Sequence, residues 1–153
     1  MEISEIMTEQ VISIGEEEPV TAAAKLMKRF NIGAVPVHDG RGKLKGIITD
    51  RDIVLRCVAA NASSQELRVG EIMTRNLETA SPHEDASKAA ERMSERQVRR
   101  LPVTDNGVLI GIVALGDMAR CRSCDMEAGE ALSGISENFR KKKEIVFAPP
   151  GFH

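Results

Sequence analysis

Two rhythms of apolar and polar residues take turns along this chain, and they do so in a fixed order. Val20, Ala23, Ala24, Met27 and Phe30 recur at three- and four-residue spacing, which predicts an amphipathic helix over about 19–30. Pro19 at its first position, after a run of acids, and Asn31 to Gly33 at its end are start and stop signals. Ahead of the helix, residues 11–14 form a short apolar stretch closed by Gly15, read as a strand. Behind it, residues 34–37 and 44–49 read as two strands joined by a Gly-rich hairpin. A second helix is expected from Asp50 to about Ala60. The same order then returns: strand 77–79, helix 85–97, strands 101–104 and 108–114, and a helix from Asp117 to about Cys124. Residues 61–68 read as a polar linker.

The two passages are copies, and such self-similarity decides the fold. Glu5-Ile6-Met7-Thr8 returns as Glu71-Ile72-Met73-Thr74, and Val35-Pro36-Val37 as Leu101-Pro102-Val103, an offset of 102 − 36 = 66. Gly46-Ile47-Ile48 returns one residue closer, as Gly111-Ile112-Val113, because the first hairpin is longer. The repeats span 4–61 and 69–124, with a C-terminal helix and tail over 125–153. One copy is too small to bury much core by itself. The expected fold is therefore α/β of the mixed α+β kind: two tandem βαββα repeats with pseudo-twofold symmetry, small sheets side by side and helices outside.

Composition narrows the function. The net charge of −2 and pI near 6.0 argue against a nucleic-acid or anionic-membrane footprint. No apolar run approaches the roughly 20 residues that cross a bilayer. The acidic start Met1-Glu2-Ile3-Ser4-Glu5 lacks a signal-peptide pattern, so the expected location is cytoplasmic. Three cysteines, an odd number, argue against a disulfide framework. Cys121 and Cys124 have the spacing of half a zinc site, but no second pair accompanies them, and helix packing is the simpler account. With four Phe and neither Trp nor Tyr, there is no stacking platform for single-stranded nucleic acid. No nucleophile elbow or P-loop is present, so no enzyme activity is expected.

The ordered set I-M-T, short strand, A-A-x-x-M helix, Asn31-Ile32-Gly33-Ala34-Val35-Pro36-Val37, hairpin, then Gly46-Ile47-Ile48-Thr49-Asp50-Arg51-Asp52 resembles the cystathionine β-synthase (CBS) domain pattern, over residues 4–120. The resemblance implies a regulatory CBS pair, commonly a disk-like homodimer, with adenosine-containing ligands such as AMP, ADP, ATP or S-adenosylmethionine in clefts between repeats. Its ribose element, Thr or Ser, two residues, then Asp, falls on Thr49 and Asp52. The second copy keeps Asp117 but has Ala114 in place of the hydroxyl. A carboxylate accepts hydrogen bonds from both ribose hydroxyls. The same Thr-x-x-Asp pattern is also a helix capping box. Carried over, the Asp117 cleft takes its adenine wall from Val11, Ile12, Ile32 and Gly33, and the Asp52 cleft from Leu77, Glu78, Val98 and Arg99. Thr49, Arg51, Arg99 and Arg100 are candidates for a phosphate at the Asp52 cleft, which is therefore expected to take the better phosphorylated ligand; solvated or locally paired arginines are the plainer reading. A ligand-free interaction scaffold is the competing function, and in either case the output passes to a partner chain.

Overall fold

The computed structural model describes residues 1–120, 131–133 and 135. A 3-10 turn over Ile3–Glu5 opens the chain. It is followed by β1 (Ile14–Gly15), α1 (Val20–Phe30), β2 (Ala34–His38), β3 (Leu44–Thr49) and α2 (Asp50–Ile53), which runs into a π turn over Val54–Val58. Then come α3 (Val69–Ile72), α4 (Ala86–Arg96), β4 (Arg100–Asp105), β5 (Val108–Ala114) and α5 (Leu115–Ala119). β1 pairs parallel to β2, and β2 antiparallel to β3 with Val35 opposite Ile48; β4 and β5 form a second, two-stranded sheet. This is the mixed α+β repeat architecture that the periodicity predicts.

The long helices begin and end where their sequences dictate. Pro19 precedes α1 in extended conformation, and the Asp85 carboxylate caps α4 by accepting the Ser87 N–H at 2.9 Å. Both helices stop on a left-handed residue, Asn31 at φ 53° and Gln97 at φ 57°. The short elements differ from expectation. Of the strand predicted over 11–14, only Ile14 finds a ladder partner. Residues 77–79 form no strand; each is half-buried, without the alternation of a sheet face. The helix from Asp50 is α for one turn and then widens, Ala59 N–H reaching back to Val54 C=O at 2.8 Å. α5 starts at Leu115, two residues early, and ends at Ala119 within the described residues. Cys121, Cys124 and most of the predicted C-terminal helix and tail lie outside them; residues 131–133 and 135 are helical.

The chain separates into two compact units that do not coincide with the sequence repeats. One, here the Asp52 unit, comprises residues 8–79 and 102–111. Its core is Ile14, Val20, Ala23, Met27, Val35, Val37, Ile48 and Cys57, joined by Val69, Ile72 and Met73 from the opening of the second repeat. The other, the Asp117 unit, comprises residues 1–7, 80–101 and 112 onward. There the opening of the first repeat, with Ile3 fully buried, belongs with α4 and its buried Ala86, Ala89, Ala90 and Met93.

Each repeat's opening arm thus docks on the helix start of the other repeat, and it does so through the same bonds. In the Asp52 unit, Val69 N–H donates to Glu18 C=O (2.8 Å) and Gly70 N–H to Glu16 C=O (2.9 Å). In the Asp117 unit, Ile3 N–H donates to Glu84 C=O (3.0 Å) and Ser4 N–H to Pro82 C=O (2.9 Å). Every partner is displaced by 66 residues (69 − 3, 84 − 18, 70 − 4, 82 − 16). The glutamate of each Glu-Ile-Met-Thr motif, Glu5 or Glu71, takes the N–H three residues before it at 2.7 Å, closing the arm's own turn.

One contact has different partners in the two units. Arg68 pairs with Glu17, whereas at the equivalent positions Glu2 meets His83 at 3.3 Å. Docking an arm on its own repeat would set Glu2 against Glu17 and Arg68 against His83. A fully buried aliphatic side chain contributes about 1.5–3 kcal/mol, an exposed ion pair about 0.2–1 kcal/mol. Ile3 and Val69 therefore hold the arms, and the charges choose between docking sites. Arg68→Glu should lower stability by up to about 1 kcal/mol, an effect that fades at high salt, and adding Glu17→Arg should restore it; denaturant unfolding of the single and double variants checks both.

Candidate ligand site

Each unit carries one acid at the third position of a helix that starts directly off a strand. Asp52 follows β3 into α2, and Asp117 follows β5 into α5. The capping box foreseen at Thr49-x-x-Asp52 is complete: Asp52 N–H donates to Thr49 Oγ1, and Thr49 N–H to Asp52 Oδ2, both at 3.0 Å. In the second copy half of it survives. Ala114 N–H donates to Asp117 Oδ2 at 2.8 Å, and no hydroxyl answers from residue 114.

Beyond that shared bond the two carboxylates have different surroundings. Asp52 is 7% exposed, and the Thr74 hydroxyl lies 3.3 Å from its Oδ1 and 3.4 Å from its Oδ2. Asp117 is half-buried, and among the described residues no donor reaches its Oδ1. Sequence reasoning assigned no role to Thr74. The signal was available, because the threonine of Ile-Met-Thr recurs with the rest of the motif.

A second pair of equivalent bonds ties the first residue of each acid's helix to a turn. Asp50 N–H donates to Gly33 C=O at 2.9 Å, and Leu115 N–H to Arg99 C=O at 3.0 Å. The carry-over from the family groups Arg99 with Asp52 and Gly33 with Asp117. The hydrogen bonds bring Gly33 to the start of the Asp52 helix and Arg99 to the start of the Asp117 helix.

The remaining candidates divide between the units. Val11, Ile12, Ile32, Leu77 and Glu78 are half-buried, and Gly33 and Arg51 exposed, in the Asp52 unit. Val98 is half-buried, and Arg99 and Arg100 exposed, in the Asp117 unit. Among the described residues neither the Arg99 nor the Arg100 guanidinium makes an ion pair or hydrogen bond, so neither is held by Glu95 or Asp105. In the Asp117 unit, a half-open carboxylate and two guanidiniums without a partner among the described residues are thus carried on adjoining backbone: acceptors for hydroxyls and donors for an anion.

Two other features of the described residues lie away from the acids. A polar cleft of about 460 Å³ is walled by Glu16, Glu17, Arg68, Gly70, Glu71 and Arg75, at the arm junction of the Asp52 unit. No group of three or more His, Cys, Asp or Glu side chains with metal-binding geometry occurs among the described residues, and Cys57 is a buried free thiol.

The fold recurs in known proteins. The model of the CBS domain matches the chain twice, over residues 3–58 and 69–123. The chain belongs to the CBS domain family. Over 134 residues it is 41% identical to the CBS domain-containing protein YhcV of Bacillus subtilis, spanning 88% of this chain and 94% of that one. It is 36% identical over 116 residues to hypoxic response protein 1 of Mycobacterium tuberculosis (76% of this chain, 81% of that one). A crystal structure of Hypoxic Response Protein I, with two coordinated zinc ions, superposes with a TM-score of 0.72 over 78% of this chain and 98% of that one, at 35% identity. The CBS domain pair of protein MJ0100, crystallised with 5′-methylthioadenosine and S-adenosyl-L-methionine, superposes with a TM-score of 0.67 at 33% identity, covering 78% of this chain and 94% of that one.

The place of Thr74 in this CBS pair depends on Gly46. Ile47 and Thr74 exchange backbone hydrogen bonds of 3.0 and 2.8 Å, and Arg56 Nη1 donates to Ile72 C=O at 2.9 Å, so the end of the second arm lies flat on β3. A Cβ at Gly46 would stand 2.6 Å from Thr74 O and 2.8 Å from Met73 Sδ. Gly46→Ala should therefore cost about 1–3 kcal/mol of stability, as overpacking does, with exchange of the Thr74 amide accelerated; denaturant titration and hydrogen exchange measure the two effects.

Proposed function

We propose that this CBS pair is a non-enzymatic regulatory module that binds an adenosine-containing ligand, either a nucleotide (AMP, ADP or ATP) or S-adenosylmethionine. The observation that carries the proposal is the Asp117 carboxylate, whose Oδ1 meets no donor among the described residues, on a helix whose first N–H is bonded to the Arg99 carbonyl. Ribose hydroxyls donate to Asp117, and to Asp52 in the second place. The guanidiniums of Arg99 and Arg100 take the phosphate of a nucleotide, a task suited to their forked donors. Thr49 and Arg51 are the corresponding polar groups beside Asp52. The half-buried Val98, and Val11, Ile12, Ile32, Gly33, Leu77 and Glu78 in the other unit, are candidates for the adenine wall. The ligands present in the MJ0100 structure support the adenosine class.

Signalling requires only that the ligand prefer one arrangement of the module over another, and the response passes to a partner protein. We place it in the cytoplasm; no helix among the described residues is long and apolar enough to cross a membrane. Val54, Leu55 and Val58 stand 54%, 50% and 65% exposed on one π turn, which supports a homodimer through that face.

Calorimetric titration should show AMP or S-adenosylmethionine binding to the wild type, weakened about tenfold or more by Asp117→Ala, since hydrogen bonds to charged groups are worth about 1.5–3 kcal/mol. Arg99→Ala with Arg100→Ala should weaken AMP while leaving adenosine unchanged. Absence of any thermal shift with all four ligands at millimolar concentration would establish the ligand-free scaffold instead. Light scattering should show a dimer that Leu55→Lys with Val58→Lys converts to a monomer.

A further inference from the structure

The repeats are equivalent in backbone and unequal at their acids: a threonine hydroxyl reaches the carboxylate of Asp52, and among the described residues none reaches that of Asp117. Thr74 closes the arm of the second repeat, yet its side chain reaches the acid of the first: Oγ1 is 3.3 and 3.4 Å from the two Asp52 oxygens. The backbone leaves it little choice. Thr74 is bridged to Ile47 by two hydrogen bonds, Gly46 admits the close approach, and Arg56 holds the preceding carbonyl groups of Ile72 and Met73 at 2.9 and 3.4 Å. Asp52 itself cannot swing away, because Oδ2 is tied to Thr49 N–H and only 7% of the residue is exposed. Asp117 has the equivalent tie to Ala114 N–H and nothing further on Oδ1 among the described residues.

We propose that Thr74 is a positioning residue that latches Asp52, so that the two acids of the pair answer a ligand unequally. The proposal rests on the reading that these acids receive ribose hydroxyls. A sugar hydroxyl donating to Asp52 competes with the Thr74 hydroxyl for the carboxylate's acceptor sites, whereas at Asp117 it meets an Oδ1 that no donor reaches among the described residues. The Asp117 position therefore fills first. Filling the Asp52 position frees the Thr74 side chain and weakens the hold of the second arm on β3. Occupancy of that position is in this way written into the docking of a segment that begins 17 residues further along the chain, at Val69.

The test is calorimetry with AMP and with S-adenosylmethionine on the full chain, using Thr74→Val, which keeps the shape and removes the hydroxyl, and Thr74→Ser, which keeps the hydroxyl. In the wild type, Asp117→Ala should remove the tighter event and leave a weaker one. Thr74→Val should strengthen that weaker event about three- to tenfold, the range expected for one long hydrogen bond to a charged acceptor. Thr74→Ser should behave as the wild type, and adding Asp52→Ala to Thr74→Val should abolish the gain. A purely structural role for Thr74 would lower the melting temperature and weaken both events together, and would overturn the latch. Binding that needs Asp117 but shows an unchanged weaker event in folded Thr74→Val overturns the latch alone. Failure of both probes to bind any variant overturns the ribose reading and the latch with it.

Discussion

The exchange of opening arms is the constraint on which the rest of the fold depends. A five-element repeat of this size has too little apolar surface to close by itself. Here each repeat borrows a short helical turn from the other: Val69, Ile72 and Met73 complete one core, and a fully buried Ile3 belongs to the other unit. Backbone hydrogen bonds to the residues before α1 and α4 lock the arms down, in matching registers. The helices, the strands that follow them and the acids at the strand ends are all positioned from these two junctions.

That constraint also sets the chemistry. Because the second arm ends on β3, its last residue comes within reach of the acid one strand-end away. Thr49 and Thr74 then hold Asp52 from two sides, one through a backbone donor and one through a hydroxyl. The Asp117 carboxylate has the backbone tie from Ala114 N–H and, among the described residues, no hydroxyl like that of Thr74. Two carboxylates with the same parentage, at the same helix position, thus have different capacity left for an incoming donor. At the matching turn an arginine, Arg99, is bonded through its carbonyl to the start of the Asp117 helix, where a glycine, Gly33, is bonded to the start of the Asp52 helix.

Much of this was legible in the chain itself. The repeat offset, the two long helices, the paired strands and the capping box follow from periodicity and from Thr-x-x-Asp, because local forces decide them. The short elements were not legible. Residues 11–14 and 77–79 have strand-like composition, but a strand exists only where a neighbour offers a ladder, and one residue, Ile14, of the first stretch finds it. The arms escaped notice for the opposite reason. Glu-Ile-Met-Thr is conspicuous as a repeat, yet nothing in four residues says that it packs on the other copy. The latch on Asp52 is non-local as well, joining residues 52 and 74 through a close approach that only the glycine at 46 admits.

The different side-chain pairings at the two junctions make the halves complementary in the manner of a plug and socket. A tandem assembled from two copies of the first half would bring carboxylate to carboxylate at both seams, and one assembled from two copies of the second would bring guanidinium to imidazole. Duplicating the first half would therefore cost up to about 1 kcal/mol at each seam, and a transplanted half keeps its fit best when the opposing side chain travels with it.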